Sequence, residues 1–166
     1  MLSNRNIEIS GHKRYTGDFV GNDKFIAING DNILTHSIQR FVEEFERGNE
    51  EARILLYNGT IEQAKKSGVA VLEGDKVIKL IEKPENPPST MISIGVNMYN
   101  PSAFQFIKNL TPSKRNETEI TELNGYFLKK GTLRASVIEG NWLDAGTKQE
   151  LLEANIKMFE LKNGQL

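Results

Sequence analysis

The stretch from 25 to 31 has the sequence Phe-Ile-Ala-Ile-Asn-Gly-Asp, an apolar run that stops at a glycine and a carboxylate. Four apolar residues bounded by polar ones predict a short buried strand. In open α/β sheets, ligands bind at the carboxyl ends of such strands, and a carboxylate there can hold a divalent metal. Asp31 is therefore a candidate metal ligand. A turn at Gly30 and a cap by Asp31 would explain the same residues.

Downstream of this strand, the apolar period alternates between that of helices and that of strands. Helical spacing at 38–45 is followed by a second buried run at 54–57, and a period of two on both sides of the turn at 73–76 predicts a β-hairpin. The further elements we predict are a strand at 91–99, a helix opened by Asn100 and Pro101, a helix through Ile120, Leu123 and Phe127 that Gly131 closes, a strand at 133–138, and a last helix opened by a capping box at Thr147 and Glu150. This alternation predicts an α/β domain with a mixed sheet flanked by helices.

The bulk composition limits the class of protein. The 166 residues suit one domain, in which we expect a polar arm or loop at 1–22 and a core at 23–166. A net charge of −1 argues against nucleic-acid or membrane binding, and the absence of cysteine excludes disulfides and thiolate sites. No apolar run approaches the ~20 residues that span a bilayer, so we expect a soluble cytoplasmic domain.

The second candidate site is the sequence Glu82-Lys83-Pro84, at the end of the predicted hairpin. Pro84 has a fixed φ and is expected to push Lys83 toward an extended conformation, which would hold the ammonium group in one place for a phosphate. An exposed salt-bridging pair at a strand end would have the same sequence.

The third candidate site is the sequence Trp-Leu-Asp-Ala-Gly-Thr at 142–147, directly before the last helix. It places Asp144 at a strand-to-helix junction, and Gly146 allows close approach of the backbone. Asp144 and Thr147 would also suit a helix N-terminus alone, where negative charge is favourable. A fourth sequence, Glu-Ile-Thr-Glu-Leu-Asn at 119–124, has the pattern of an ordinary helix start with a polar face. It is informative only through its place in the order of the four sequences along the chain.

Together, these four sequences resemble the sugar-1-phosphate nucleotidylyltransferase family, which includes glucose-1-phosphate thymidylyl- and uridylyltransferases. The resemblance runs from about Asp23 to Asn155 and includes Gly68-Val69 and Gly95-Val96. It implies a Rossmann-like nucleotide-diphospho-sugar transferase fold. The activity that it implies is transfer of a nucleotidyl group from a nucleoside triphosphate to a sugar 1-phosphate.

The resemblance also implies roles for particular residues. Asp31 and Asp144 would bind the catalytic Mg²⁺, and Lys83 would complete the catalytic set with them. Glu82 and Lys83 would contact the sugar and its phosphate. Gly68 and Gly95 would lie against the sugar. His12 and His36 match no step of this chemistry, so we expect incidental polar roles for both.

The sequence departs from the family at the nucleotide-binding half of the site. The family opens with a loop Gly-x-Gly-Thr-Arg, whose backbone amides hold the triphosphate, and these 166 residues contain no such loop. Ser67 and Asn97 also stand where the family has aromatic residues. We therefore expect a truncated form of the fold that needs a partner subunit or a second copy. Its exposed sheet edge would be covered by residues 1–20 or by another subunit. The alternatives are a non-catalytic sugar-phosphate-binding or regulatory module and, less favoured, a metal-dependent glycosyltransferase, whose Asp-x-Asp sequence is absent here.

Overall fold

A computed structural model gives the structure of residues 20–109 and 120–164. Its elements, in chain order, are β1 (Phe25–Ile28), β2 (Asn32–Leu34), α1 (Gln39–Arg47), β3 (Ala52–Asn58), α2 (Ile61–Ala64), β4 (Gly68–Glu73), β5 (Lys76–Glu82), β6 (Met91–Tyr99), α3 (Ser102–Asn109), α4 (Ile120–Lys130), β7 (Leu133–Val137), β8 (Trp142–Asp144) and α5 (Lys148–Lys162). Helices and strands alternate, so the predicted α/β class is confirmed. The predicted arm at 1–22 falls almost wholly outside the described residues.

The main sheet has six strands in the order β1-β6-β3-β7-β5-β4. Strands β3 and β7 are parallel, and the other pairings of the described strands are antiparallel, so the sheet is mixed as predicted. Strand β4 also pairs with β6, through Val69 and Ile92. A separate two-stranded sheet joins β2 to β8.

Two apolar clusters hold the layers together, one on each face of the main sheet. Strand β6 contributes to both because its side chains alternate: Ile92, Ile94, Val96 and Met98 belong to one cluster and Tyr99 to the other. The first cluster contains the buried side chains of α1, and the second those of α4. Each large apolar side chain that is fully buried in this way contributes roughly 1.5–3 kcal/mol.

Several local signals place the elements where the sequence predicts them. The Thr147 hydroxyl accepts a hydrogen bond from the Glu150 N–H at 3.2 Å, and the Glu150 side chain accepts one from the Thr147 N–H, which completes the capping box. Helix α4 ends before Gly131, whose φ of 77° is the left-handed conformation that glycine adopts without strain. These interactions confirm the predicted end of α4 and the predicted start of α5.

Three short elements were not predicted: β2, α2 and β8. The strands have only three residues each, too few to show a period of two. Helix α2 has four residues and does carry a capping box, between Thr60 and Gln63, which the sequence pattern would have allowed us to find. The pairing of β2 with β8 matters most, because it brings distant parts of the chain to the candidate site.

Candidate functional site

The first part of the site, which we call the acidic corner, consists of Asp31, Asp144 and Gly146. Strand pairing places Asn32 opposite Asp144, and the Ala145 N–H donates to the Asp31 carbonyl at 2.9 Å. A Cβ atom added to Gly146 would lie 3.3 Å from Asp144 Oδ1 and 3.5 Å from Asp31 Oδ2. The two carboxylates therefore flank one small space, which exists because residue 146 has no side chain.

Burial and neighbouring charges affect the ionisation of Asp144 in the acidic corner. Partial desolvation raises the pKa of Asp144 above its ordinary value, and the charges of Asp31 and Glu150 add to this effect, while hydrogen bonds from the backbone N–H groups of Gly146 and Ala145 oppose it. A divalent ion between the carboxylates would remove this repulsion. Among the described residues, no group of three or more His, Cys, Asp and Glu side chains could hold a metal. The pair fits Mg²⁺ only where waters and phosphates supply the other oxygens.

The second part, which we call the hairpin corner, consists of Gly68, Glu82 and Lys83 at the open end of the β4–β5 hairpin. Gly68 pairs with Glu82 across the hairpin, and a Cβ atom on Gly68 would lie 3.2 Å from Glu82 Oε2. Lys83 Nζ lies 3.9 Å from Glu82 Oε1, and both side chains are more than half exposed. The corner thus presents a carboxylate and an ammonium group to solvent, beside the backbone of Gly68, which has no side chain.

The backbone conformation of Lys83 differs from our expectation. Its φ is +44°, so it is left-handed rather than extended, and among the described residues other than glycine it is alone in having a positive φ. The Lys83 N–H donates at 3.0 Å to the carbonyl of Ser67, the residue that precedes β4 on the other side of the hairpin. The prediction from Pro84 was therefore wrong: this cross-strand bond accompanies a backbone conformation that the local sequence disfavours.

Strand β6 connects the two corners. Ser93 Cβ lies 3.8 Å from the position of a Cβ on Gly68, while a Cβ on Gly95 would lie 2.7 Å from Asn29 Nδ2 and 3.0 Å from Asn32 Nδ2. Gly95 has a φ of +66° and lies in a bulge, where β6 has three residues opposite one of β3. Gly95 therefore faces the asparagines next to Asp31. Its predicted contact with a sugar stays a prediction.

Asn32 and Trp142 are site residues that the sequence reasoning missed. The indole Nε1–H of Trp142 donates to Asn32 Oδ1 at 2.6 Å, and Asn32 Nδ2 donates to Asp31 Oδ1 at 3.0 Å. The available signal was the position of Asn32 directly after Asp31. Trp142, the single tryptophan of the chain, belongs to the third candidate sequence, but that sequence assigns it no contact with Asn32.

The fourth candidate sequence contributes one residue, Asn124, to a buried series of hydrogen bonds. The Tyr99 hydroxyl donates to Asn124 Oδ1 at 2.6 Å, and Asn124 Nδ2 donates to Asn97 Oδ1 at 2.9 Å. Burial raises the pKa of Tyr99 strongly, which keeps the hydroxyl protonated as a donor. Glu119 lies outside the described residues.

The remaining candidates lie apart from the two corners. His36 Nδ1 is 2.9 Å from Thr35 Oγ1, and the His36 side chain helps to line a cavity of about 260 Å³ between the start of α1 and the loop after β7. None of the six predicted site residues lines that cavity. His12, Lys13 and Arg14 lie outside the described residues.

Comparison with known proteins identifies the family. Residues 14–160 match the family model described as nucleotidyl transferase. The chain is 38% identical over 148 residues to the low-salt glycan biosynthesis nucleotidyltransferase Agl11 of Haloferax volcanii, covering 88% of this chain and 41% of that protein. It is 33% identical over 145 residues to a glucose-1-phosphate thymidylyltransferase of Streptomyces griseus, covering 86% and 40%.

Solved structures agree with this match. A crystal structure assigned to a glucose-1-phosphate thymidylyltransferase from Bacillus anthracis, in complex with sucrose, superposes with a TM-score of 0.76 at 41% identity, covering 84% of this chain and 56% of that one. A UDP-glucose pyrophosphorylase complexed with UDP-glucose has the same fold, with a TM-score of 0.69 at 22% identity. The chain spans about two fifths of the length of these curated relatives. On the match over most of its length and on these relatives, the chain belongs to the nucleotidyl transferase family of sugar-1-phosphate nucleotidyltransferases.

Proposed function

We propose that this chain takes part in transfer of a nucleotidyl group from a nucleoside triphosphate to a sugar 1-phosphate. The observation that carries the proposal is the convergence of Asp31 and Asp144 on the space at Gly146. These carboxylates come from residues 113 positions apart, and the pairing of β2 with β8 brings them together. The named relatives, a glycan biosynthesis nucleotidyltransferase and thymidylyltransferases, support the same reaction class.

The proposed reaction is an in-line displacement. A phosphate oxygen of the sugar 1-phosphate forms a bond to the α-phosphorus of the triphosphate, and the bond from that phosphorus to the bridging oxygen breaks, releasing pyrophosphate. Catalysis of such a step depends on positioning two anions and on neutralising the charge that develops. When bound at the acidic corner, Mg²⁺ would supply positive charge beside the phosphate oxygens.

The residues of this chain have separate roles in that scheme. Asp31 and Asp144 hold the metal. Lys83 binds the phosphate of the sugar, and Glu82 accepts hydrogen bonds from sugar hydroxyl groups. Gly68 and Gly95 leave room for the sugar to approach the backbone, because neither has a side chain that would occupy the space.

The triphosphate contacts come from elsewhere in this proposal. The 166 residues carry no Gly-rich loop, so such a loop would have to come from polypeptide outside this sequence, in the same protein or in a partner subunit. Among the described residues, no helix is long and apolar enough to cross a membrane. Because the proposed substrates are cytoplasmic metabolites, we place the reaction in the cytoplasm.

Equilibrium binding tests the proposal. Calorimetry with glucose 1-phosphate should show binding that requires Mg²⁺ in the wild type and is lost in Asp31→Asn. The matched control is Asp23→Asn, because Asp23 precedes β1 and Asp31 follows it. Equal binding by wild type and Asp31→Asn, with or without Mg²⁺, would contradict the proposal.

Turnover distinguishes the proposed enzyme from a second candidate, a non-catalytic sugar-phosphate-binding module. The missing Gly-rich loop favours this second candidate for the isolated chain. We expect pyrophosphate release by the 166-residue chain, with Mg²⁺, each nucleoside triphosphate and a panel of sugar 1-phosphates, to be at least about a hundredfold slower than with a complete thymidylyltransferase, because donors that stabilise charge at the reacting phosphates are absent. Comparable turnover would show that this chain holds the triphosphate by other groups.

A further inference from the structure

Three side chains form a continuous hydrogen-bonded chain that ends at the acidic corner. The indole Nε1–H of Trp142 donates to Asn32 Oδ1 at 2.6 Å, and Asn32 Nδ2 donates to Asp31 Oδ1 at 3.0 Å. The same Nδ2 lies 3.2 Å from the Asn29 carbonyl, which it also approaches as a donor. Every polar atom of the Asn32 side chain is therefore paired.

The donor and acceptor properties of the three side chains fix which atom of the Asn32 amide faces which partner. An indole N–H can only donate, so the Asn32 atom that faces Trp142 must be the amide oxygen. The amide nitrogen must then face Asp31, whose carboxylate only accepts when ionised. A flipped amide would place two donors against each other at Trp142 and two acceptors against each other at Asp31.

Trp142, at the far end of this series of hydrogen bonds, is held in place by packing. Trp142 is 9% exposed, belongs to one apolar cluster and packs against the Tyr57 ring with a centroid distance of 5.9 Å. Strand pairing sets Leu34 opposite Trp142, two residues from Asn32. The missing side chain of Gly95 leaves space for the Asn32 amide, since a Cβ there would lie 3.0 Å from Nδ2.

We propose that Asn32 is a positioning residue, held by Trp142, that fixes the Asp31 carboxylate with Oδ1 bound and Oδ2 turned toward Asp144. Asp31 Oδ2 is the atom that faces the space at Gly146, where Asp144 Oδ1 also lies. An unrestrained carboxylate could rotate either oxygen into that space. Asn32 removes this freedom before any ligand arrives, so less conformational entropy is lost on metal binding.

The use of this positioning for metal binding rests on the proposed function, but the positioning itself can be tested without a ligand. The chain has one tryptophan, so a ¹H–¹⁵N spectrum contains one indole N–H signal. In the wild type we expect this proton to be protected from exchange, and Asn32→Ala should remove the protection and shift the signal. Asp31→Ala should shift the same signal by a smaller amount, through the Asn32 amide. In the Asn32→Ala background, Asp31→Ala should cause no further shift.

The result that overturns the positioning is an Asp31→Ala shift of equal size with and without Asn32, because the coupling would then bypass the amide. Asn155→Ala is the control, since Asn155 is exposed on α5 and its amide bonds to the Leu151 carbonyl. This substitution should leave the indole signal unchanged. The backbone amide spectrum of each variant reports whether the fold is intact.

Metal binding provides the functional readout. With Mn²⁺ as the probe and glucose 1-phosphate present, water-proton relaxation should show an affinity lowered roughly tenfold or more in Asn32→Ala, the size typical of residues that orient a metal ligand. Trp142→Phe keeps an aromatic side chain but removes the indole N–H donor, so it should give a smaller loss. Unchanged Mn²⁺ affinity in Asn32→Ala, while Asp31→Asn abolishes binding, would overturn the role of Asn32. Unchanged affinity in both Asp31→Asn and Asp144→Asn would instead overturn the proposed function, while the indole experiment would still decide the positioning.

Discussion

The acidic corner and the hairpin corner are organised in different ways. At the acidic corner, side chains from distant parts of the chain are bonded together: Trp142 and Asn32 are 110 residues apart. At the hairpin corner, main-chain contacts hold the residues in place, through strand pairing and the hydrogen bond from the Lys83 N–H to the Ser67 carbonyl. The candidate side chains of that corner, Glu82 and Lys83, are exposed, and the ion pair between them is long, at 3.9 Å.

This difference indicates how each corner responds to substitution. At the acidic corner, Asp31 Oδ1 accepts a hydrogen bond from Asn32 and Asp144 Oδ1 accepts one from the Gly146 N–H, so changing one group there should disturb the geometry of the others. The hairpin corner has a hydrogen-bonded backbone with exposed side chains, so a substitution should remove one contact and leave the rest in place. The predictions below test this contrast, beginning with the largest effect.

The largest effect is expected at the acidic corner. Asp31→Asn and Asp144→Asn should each abolish metal-dependent ligand binding, because one carboxylate with waters and phosphates holds Mg²⁺ poorly and the amide adds no charge. Both side chains lie at strand ends outside the apolar clusters, so the fold should stay intact. The measurement is Mn²⁺ binding by paramagnetic relaxation, with and without glucose 1-phosphate. Equal binding by wild type and both variants would reduce Asp31 to a turn residue and Asp144 to a helix cap.

A smaller effect is expected at the hairpin corner. Lys83→Ala should weaken binding of glucose 1-phosphate about tenfold, the loss of one charged hydrogen bond to phosphate. Lys13→Ala, outside the described residues, should have less effect, since its Gly-punctuated sequence predicts an arm that loses more entropy on binding. Calorimetry on both variants makes the comparison. An equal or larger loss for Lys13→Ala would move the phosphate site to the arm.

The two corners also differ in how far they could be predicted from sequence. Asp31 and Asp144 each follow a recognisable local pattern, and the order of the motifs implied that they meet, as the positions of their oxygens about Gly146 bear out. The pairing that brings them together, β2 with β8, was missed because three-residue strands have no readable period. Asn32 was missed for the same reason, since only that pairing brings its partner Trp142 close to it.

At the hairpin corner the prediction failed in the backbone itself. A register shift between Val71 and Leu72 moves the pairing by one residue and sets Gly68 opposite Glu82. The hairpin and its turn follow from a period of two. The conformation of Lys83 does not, because the rule for a residue before proline describes a local preference, whereas the bond to Ser67 is a contact between two strands. Local rules are expected to fail where tertiary contacts hold a strained residue, and such residues cluster at binding sites.

The strain at Lys83 can be measured separately from its charge. Lys83→Gly and Lys83→Ala should lose the same phosphate contact, but glycine adopts a φ of +44° at little cost. The free energy of unfolding of Lys83→Gly should therefore exceed that of Lys83→Ala by about 1 kcal/mol. Urea unfolding of the two variants gives this difference directly. Equal stability would show that the backbone at 83 relaxes to a negative φ when the ammonium group is removed.

The smallest effect is the pH dependence of stability that Asp144 contributes. Partial desolvation, with the charges of Asp31 and Glu150, raises the pKa of Asp144 in the folded protein above its ordinary value of 3.8. The folded state therefore binds this proton more tightly than the unfolded state, and the ionised carboxylate costs stability above the folded pKa. As the pH falls through the folded pKa toward 3.8, that cost disappears.

Asp144→Asn removes this titration while its amide oxygen can still accept the hydrogen bond from the Gly146 N–H, which is 3.0 Å long in the wild type. Without metal, the free energy of unfolding of the variant, relative to that of wild type, should therefore be highest near neutral pH. This difference should decline as the pH falls toward 3.8. Urea unfolding of both proteins at neutral and acidic pH measures this change, because the other titrating groups cancel in the difference. Asp23→Asn should show no such trend. If the relative stability of Asp144→Asn instead rises on acidification, the carboxylate is stabilised in its ionised form, and the acidic corner does not carry the repulsion that a bound cation would relieve.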